Sequence, residues 1–83
     1  MHQVLLTHEA EKQLKSLDSR YKNAVIQALK KLGNNPKIGA PLRKELKGKY
    51  KLRVSRYRII YEFDYEKKII WVVTIDHRKD VYR

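Results

Sequence analysis

The sequence predicts an α+β protein in which an N-terminal strand and a two-helix hairpin pack on one face of a small antiparallel sheet. Apolar residues recur at helical spacing through the first 32 positions, and three strand-like runs fill the chain after residue 48. All three glycines and both prolines lie between residues 33 and 48, which indicates a connecting segment. With 83 residues in total, we expect one domain spanning 1–83.

The first half of the chain carries signals for one strand and two capped helices. Residues 2–6 have the apolar character of a short strand, and Thr7 is a favourable N-cap. Asp18 or Ser19 can cap the second helix, and Gly33 is predicted at its C′ position. The predicted apolar stripes of the two helices are Ala10, Leu14 and Leu17, then Tyr21, Val25, Ala28, Leu29 and Leu32.

The second half predicts three strands at 49–55, 57–64 and 69–76, with a tight turn at Ser55 and Arg56. Trp71 lies in an uninterrupted apolar run and is therefore predicted to be a core residue. Since side chains alternate along a strand, the first two strands present two different faces. The expected helix-side residues are Leu52, Val54, Tyr57, Ile59, Tyr61 and Phe63, and the opposite face holds Lys51, Arg53, Arg58, Ile60 and Glu62.

The positive charge is concentrated on that second face. The chain has a net charge of +11, and residues 43–58 alone hold eight basic groups and one acidic group. In the predicted register Arg53 faces Arg58 across the hairpin, and like charges opposed in this way destabilise a sheet. An anionic ligand would relieve this repulsion, so we expect an acidic partner: a nucleic acid, an anionic membrane surface or an acidic protein.

Several classes of protein are disfavoured by the sequence. There is no cysteine, which excludes disulfides and thiolate metal sites, and the three histidines are scattered, so we expect neither metal nor cofactor. No apolar run reaches the length of a membrane span, and the N-terminus lacks the pattern of a signal peptide. We therefore expect a cytoplasmic protein that makes no membrane contact.

Two segments carry a resemblance to a known family. The stretch YKLRVSRYRIIYEFD, followed by IIWVVTIDHRKDVY, resembles the RelE/ParE superfamily of toxin proteins over essentially the whole chain. The resemblance implies a RelE-like fold and the activity of an mRNA interferase that cuts mRNA in the ribosomal A site. The implied partners are mRNA, the ribosome with its ribosomal RNA, and a cognate RelB-like antitoxin.

The family's functional residues can be carried over one at a time. Its first lysine matches Lys51, whereas its second falls on Arg53, which is a departure from the pattern. The arginine of the YR motif matches Arg58, the arginine of the last motif matches Arg78, and the C-terminal tyrosine matches Tyr82. The chain ends at Arg83, without the helix that follows this tyrosine in RelE.

RNA cleavage by internal attack needs a base, an acid and cations that stabilise the phosphorane, but no metal. Arg58 and Arg78 are assigned to the scissile phosphate because guanidinium binds phosphate in bidentate fashion. Candidates for proton transfer are Lys51, His77 and, as an alternative to a salt-bridge role, Glu62. Tyr82 is a candidate for stacking on a base. The remaining predicted RNA contacts are Arg53, Arg56, Lys49, Lys47 and Arg43.

Two other functions are compatible with the same fold. One is a ParE-like protein that inhibits DNA gyrase without chemistry, and the other is a catalytically inactive nucleic-acid-binding relative. The combination of Lys51, Arg58, Arg78 and Tyr82 favours the ribonuclease, because ParE-type members generally lack that set.

Overall fold

The computed structural model describes residues 2–44 and 47–77, and in these ranges the chain forms two helices and five strands. The elements are β1 (Gln3–Leu6), α1 (His8–Lys15), α2 (Ser19–Asn34), β2 (Ala40–Pro41), β3 (Lys49–Val54), β4 (Tyr57–Asp64) and β5 (Ile69–His77). The predicted α+β class is confirmed, and the three later strands agree with the sequence prediction to within one residue.

The five strands form one sheet in the order β1-β5-β4-β3-β2. The sheet is mixed rather than purely antiparallel, because β1 runs parallel to β5 while the other pairs are antiparallel. The chain between the parallel strands β1 and β5 contains both helices and the strands β2, β3 and β4. The short strand β2 lies within the segment that the sequence predicted only as a connection.

Both helices begin at the predicted caps. Thr7 Oγ1 accepts a hydrogen bond from Ala10 N at 3.2 Å and donates one to Val73 O at 2.8 Å, so the cap also ties α1 to β5. Asp18 Oδ1 accepts from Arg20 N at 3.0 Å at the start of α2. Because a side-chain oxygen satisfies one of the unpaired N–H groups in each first turn, these caps fix where the helices start.

The predicted C′ role of Gly33 is wrong. The helix α2 continues through Asn34, and Gly33 is buried inside it. His2 N donates to Gly33 O at 2.8 Å, and a Cβ atom on this glycine would lie 3.3 Å from His2 O. Glycine is therefore used here because the chain before β1 packs tightly against the helix, and not because the backbone needs a positive φ.

The core lies between the helices and one face of the sheet. Its fully buried members come from α1, α2, β4 and β5, and they follow the predicted apolar stripes and strand alternation. The largest are Tyr61, Leu32, Ile59, Ile70, Val25 and Val72. Partly buried Leu52, Val54, Tyr57 and Phe63 pack against this cluster, which confirms the predicted helix-side residues of β3 and β4.

A buried tyrosine fastens the proline-containing loop to the sheet. Tyr61 Oη donates to Pro36 O at 2.7 Å and accepts from Gly39 N at 3.0 Å. A Cβ atom on Gly39 would lie 2.5 Å from this hydroxyl, so only glycine fits there. Burial raises the pKa of the Tyr61 hydroxyl above its usual value, and the hydrogen bond from Gly39 partly opposes that rise.

Candidate nucleic-acid interface

The face of the sheet that points away from the helices, called the open face below, is organised in three rows across β3, β4 and β5. The register aligns one residue from each strand in every row. The rows are Lys49–Glu62–Trp71, Lys51–Ile60–Thr74 and Arg53–Arg58–Asp76. The first two strands therefore present the predicted set of basic residues on one surface, and the third adds residues that the sequence did not place there.

The register also confirms the predicted juxtaposition of Arg53 and Arg58, which are direct cross-strand partners. A two-residue turn holds them together, and Ser55 at its first position has a φ of 55°. Arg53 is exposed and Arg58 is half-buried. Among the described residues, the buried Nε of Arg58 has no hydrogen-bond acceptor, which is a cost to the folded state.

At one end of the open face, Lys49 and Glu62 form an ion pair with Nζ and Oε1 2.8 Å apart. Glu62 therefore has the salt-bridge role that was predicted as the alternative to proton transfer, with Lys49 as its cross-strand partner. Each group is partly shielded from water, with 28% of the Lys49 side chain and 46% of the Glu62 side chain exposed. This pair leaves Glu62 poorly placed for proton transfer beside Arg58.

The Trp71 side chain lies on the open face next to this ion pair, so its prediction as a core residue is wrong. It is 40% exposed, whereas its neighbours Ile70 and Val72 are fully buried. Phe63, Tyr65 and Trp71 line a cavity of about 750 Å³ together with acidic side chains. An uninterrupted apolar run carries no alternation, so the sequence did not reveal which of its residues face outward.

At the other end of the open face, a polar network joins β5 to α1. Gln13 Oε1 accepts from Ile75 N at 2.6 Å and lies 3.1 Å from Thr74 Oγ1. Thr74 Oγ1 is also 3.1 Å from Asp76 Oδ1. Because β1 pairs with β5 only as far as Val72, the Gln13 side chain replaces the missing strand partner and holds the end of β5.

A β-bulge places Thr74 and Asp76 on the open face, which simple strand alternation does not predict. Ile60 pairs with Thr74 and Tyr61 pairs with Val72, so Val73 is an extra residue in β5. Simple alternation from Ile70 and Val72 would place residues 74 and 76 on the helix side. The signal that was available is the change from apolar to polar residues at the end of this strand.

The other predicted site residues are distributed as follows. Lys51 is half-buried at the centre of the open face, and Arg43, Lys47 and Arg56 are exposed in the loops that flank β3. His77 is paired with Tyr57, and their rings are in contact with centroids 5.2 Å apart, which places His77 on the helix side. Arg78 and Tyr82 lie outside the described residues.

The chemistry available on the open face is that of several cations with the carboxylates of Glu62 and Asp76 among them. Within residues 2–44 and 47–77, no three His, Asp or Glu side chains come together as metal ligands. None of the helices described here is long and apolar enough to cross a membrane. Guanidinium and ammonium groups on a half-exposed sheet surface are suited to binding phosphate groups.

Comparison with known proteins places this chain among toxins of type II toxin–antitoxin systems. Residues 4–82 match the family described as ParE toxin of type II toxin–antitoxin system, parDE. Toxin RelG of Mycobacterium tuberculosis is 37% identical over 82 residues, which represent 96% of this chain and 94% of RelG.

Solved structures agree with the sequence comparison. A chain of the toxin–antitoxin complex RelBE2 from Mycobacterium tuberculosis is 33% identical, with a TM-score of 0.86 over 93% of this chain and 98% of that one. The isolated RelE toxin of Escherichia coli shares the fold, with a TM-score of 0.81 at 22% identity over 93% and 84% of the two chains. The present chain therefore belongs to the ParE toxin family, within the RelE/ParE superfamily of toxins from type II toxin–antitoxin systems.

Proposed function

We propose that this toxin is a ribosome-dependent endoribonuclease that binds mRNA on the open face and cleaves it in the A site. The observation that carries the proposal is the placement of Arg58. It lies opposite Arg53, and its buried Nε has no acceptor within the described part of the chain. A phosphate group bound at the guanidinium groups of Arg53 and Arg58 would offset the repulsion between them.

In this function Arg58 contacts the scissile phosphate, and Lys51 and Arg53 bind the same phosphate or its neighbours. Cations fixed on a sheet stabilise the charge that develops on the phosphorane without reorganising during the reaction. Arg78 joins them at the phosphate and Tyr82 stacks on a base, as the family resemblance implies. Inhibition of translation follows from loss of the mRNA, and the site of action is the cytoplasm.

The proposed inhibitor is an acidic RelB-like antitoxin. The related chain of known structure comes from a RelBE2 toxin–antitoxin complex. A net charge of +11 makes an acidic partner electrostatically favourable for the present chain, and binding over the open face would exclude RNA.

The test is cleavage of a defined mRNA, with and without a programmed 70S ribosome. The proteins compared are wild type, Arg58→Ala and the matched control Arg20→Ala, which removes an exposed arginine from the helical hairpin. We expect wild type and Arg20→Ala to cut within the A-site codon. Arg58→Ala should lose activity by roughly 10²–10³-fold, the usual effect of removing one transition-state contact.

Circular dichroism of each variant separates loss of activity from loss of folding. Wild-type protein that is folded but cuts no RNA in either condition would contradict the ribonuclease. The match to the ParE toxin family favours DNA gyrase as the next target to examine. Inhibition of gyrase supercoiling by the same preparation would then identify a ParE-like, non-enzymatic toxin.

A further inference from the structure

We propose that Asp76 is the general base of this ribonuclease, with the Thr74 hydroxyl and Gln13 as the hydrogen-bond relay that serves it. The inference rests on the proposed function. Its starting point is that Asp76 is the carboxylate paired directly with Arg58 on the open face. A carboxylate weakens the binding of phosphate, so its position in the most basic row of the sheet calls for a role other than RNA affinity.

The other groups near Arg58 are poor proton acceptors. Lysine and arginine side chains hold their protons at neutral pH, and Glu62 is bound to Lys49 at 2.8 Å. Glu62 lies four positions after Arg58 in β4, which corresponds to roughly 13 Å along the strand. Asp76 is the carboxylate adjacent to Arg58 in the described sheet, and it is half-buried rather than enclosed.

The relay allows Asp76 to gain and lose a proton without losing a hydrogen bond. Thr74 Oγ1 lies 3.1 Å from both Asp76 Oδ1 and Gln13 Oε1, but a hydroxyl has a single proton to donate. Gln13 Oε1 is fixed as an acceptor, since Ile75 N donates to it at 2.6 Å.

Two arrangements of the same hydroxyl are therefore available. When Asp76 is ionised, Thr74 donates to the carboxylate. When Asp76 has taken a proton, it donates to Thr74 Oγ1, and the Thr74 proton turns to Gln13 Oε1.

The cleavage reaction requires water and no other co-reactant. Asp76 takes the proton of the ribose 2′-hydroxyl, and the 2′-oxygen forms a bond to the adjacent phosphorus. The bond from phosphorus to the 5′-oxygen breaks, and this oxygen leaves with a proton from water. The products are a 2′,3′-cyclic phosphate and a 5′-hydroxyl, and Asp76 returns its proton to solvent. Arg58 remains on the phosphate throughout.

The experiment compares Asp76→Asn with Asp64→Asn in the programmed-ribosome cleavage assay. Asp64 lies on the same face at the far end of β4, so both variants remove one negative charge from one surface. Binding is measured separately with an mRNA that carries a 2′-deoxynucleotide at the cleavage position and cannot react. Thermal unfolding of both variants checks that they are folded.

We expect Asp76→Asn to cleave roughly 10²–10⁴-fold more slowly, the usual contribution of a general base, while it binds the unreactive RNA as tightly as wild type or more tightly. Asp64→Asn should cleave at the wild-type rate. Thr74→Val keeps the carboxylate but removes the relay, and it should slow cleavage to a smaller extent at unchanged affinity. If Asp76→Asn fails to fold, the cleavage rate of Thr74→Val tests the role of Asp76 instead.

If Asp76→Asn or Thr74→Val cleaved RNA at the wild-type rate, Asp76 would not be the general base. The proposed ribonuclease activity would still stand. Parallel loss of binding and cleavage in Asp76→Asn would also overturn the assignment of Asp76, since that result indicates a structural role. A wild-type protein that cuts no RNA would remove the proposed function itself, which distinguishes the two failures.

Discussion

The two faces of the same sheet differ in almost every physical respect. The helix side buries Ile59, Tyr61 and Ile70 completely, together with the apolar faces of both helices. On the open face of the same strands, guanidinium and ammonium groups lie beside one another, with Arg53 directly opposite Arg58. Residues one position apart in the chain thus belong to two different surfaces, one apolar and buried and the other rich in positive charge.

This difference separates stability from function. Apolar burial supplies most of the favourable free energy of folding, and in this protein it is concentrated on the helix side. On the open face the pairing of Arg53 with Arg58 adds like-charge repulsion, which an anionic ligand would reduce. Changes on the helix side should therefore unfold the protein, whereas changes on the open face should alter its chemistry or binding while the fold persists.

The largest expected effect on stability comes from replacing two neighbouring isoleucines that lie on opposite faces of the sheet. Ile59 is fully buried in the core cluster, and Ile60 is 6% exposed but lies on the open face outside that cluster. Ile59→Ala should lower the free energy of unfolding by about 4 kcal/mol, because a cavity is added to the lost transfer energy. Ile60→Ala should cost only about 2 kcal/mol, the transfer contribution alone.

Urea denaturation of the two variants measures this difference directly. Equal losses would show that the open face around Ile60 is packed as tightly as the core. That outcome would break the separation between a face for stability and a face for function.

A smaller effect on stability is expected from the Tyr61 hydroxyl, a polar group buried on the helix side. Tyr61→Phe leaves Pro36 O and Gly39 N without their partner, which should cost about 1–3 kcal/mol. The variant should also change how the free energy of unfolding depends on pH in the alkaline range. Since burial raises the pKa of the folded-state Tyr61 hydroxyl, the unfolded chain loses this proton first as the pH rises.

The stabilisation is therefore complete below about pH 10, the pKa of a tyrosine in the unfolded chain, and it declines above that pH until the folded-state pKa is reached. Denaturation of wild type and Tyr61→Phe in parallel between pH 8 and 11 isolates this contribution from other groups that titrate. The difference in stability between the two proteins should shrink as the pH rises. A constant difference would contradict the raised pKa.

Much of the fold could be predicted from the sequence because its determinants are local. Helix caps at Thr7 and Asp18 and strict alternation in β3 and β4 were visible in the chain itself. A tight turn at Ser55 then fixed the register, and with it the pairing of Arg53 with Arg58. Where turn and alternation agree, the sequence determines which face each side chain occupies.

The features that were missed depend on contacts between distant parts of the chain. The bulge at Val73 reverses the faces of the residues that follow, and so brings Asp76 beside Arg58. The role of Gly33 depends on the approach of His2, and the parallel pairing of β1 with β5 joins strands from opposite ends of the described chain. Trp71 was misplaced because its run has no polar residue to mark the outer face.

The smallest expected effect concerns the repulsion that defines the open face. A double-mutant cycle with Arg53→Gln, Arg58→Gln and both together should give an unfavourable coupling of about 0.2–1 kcal/mol between the two arginines. The coupling should shrink as salt rises from 10 mM to 1 M, since the screening length falls from about 30 Å to about 3 Å. Glutamine keeps the polar character and most of the length of the side chain, so the cycle reports mainly on charge. A coupling near zero at low salt would mean that the two guanidinium groups do not strain the unbound sheet, and relief of repulsion would then contribute nothing to RNA binding.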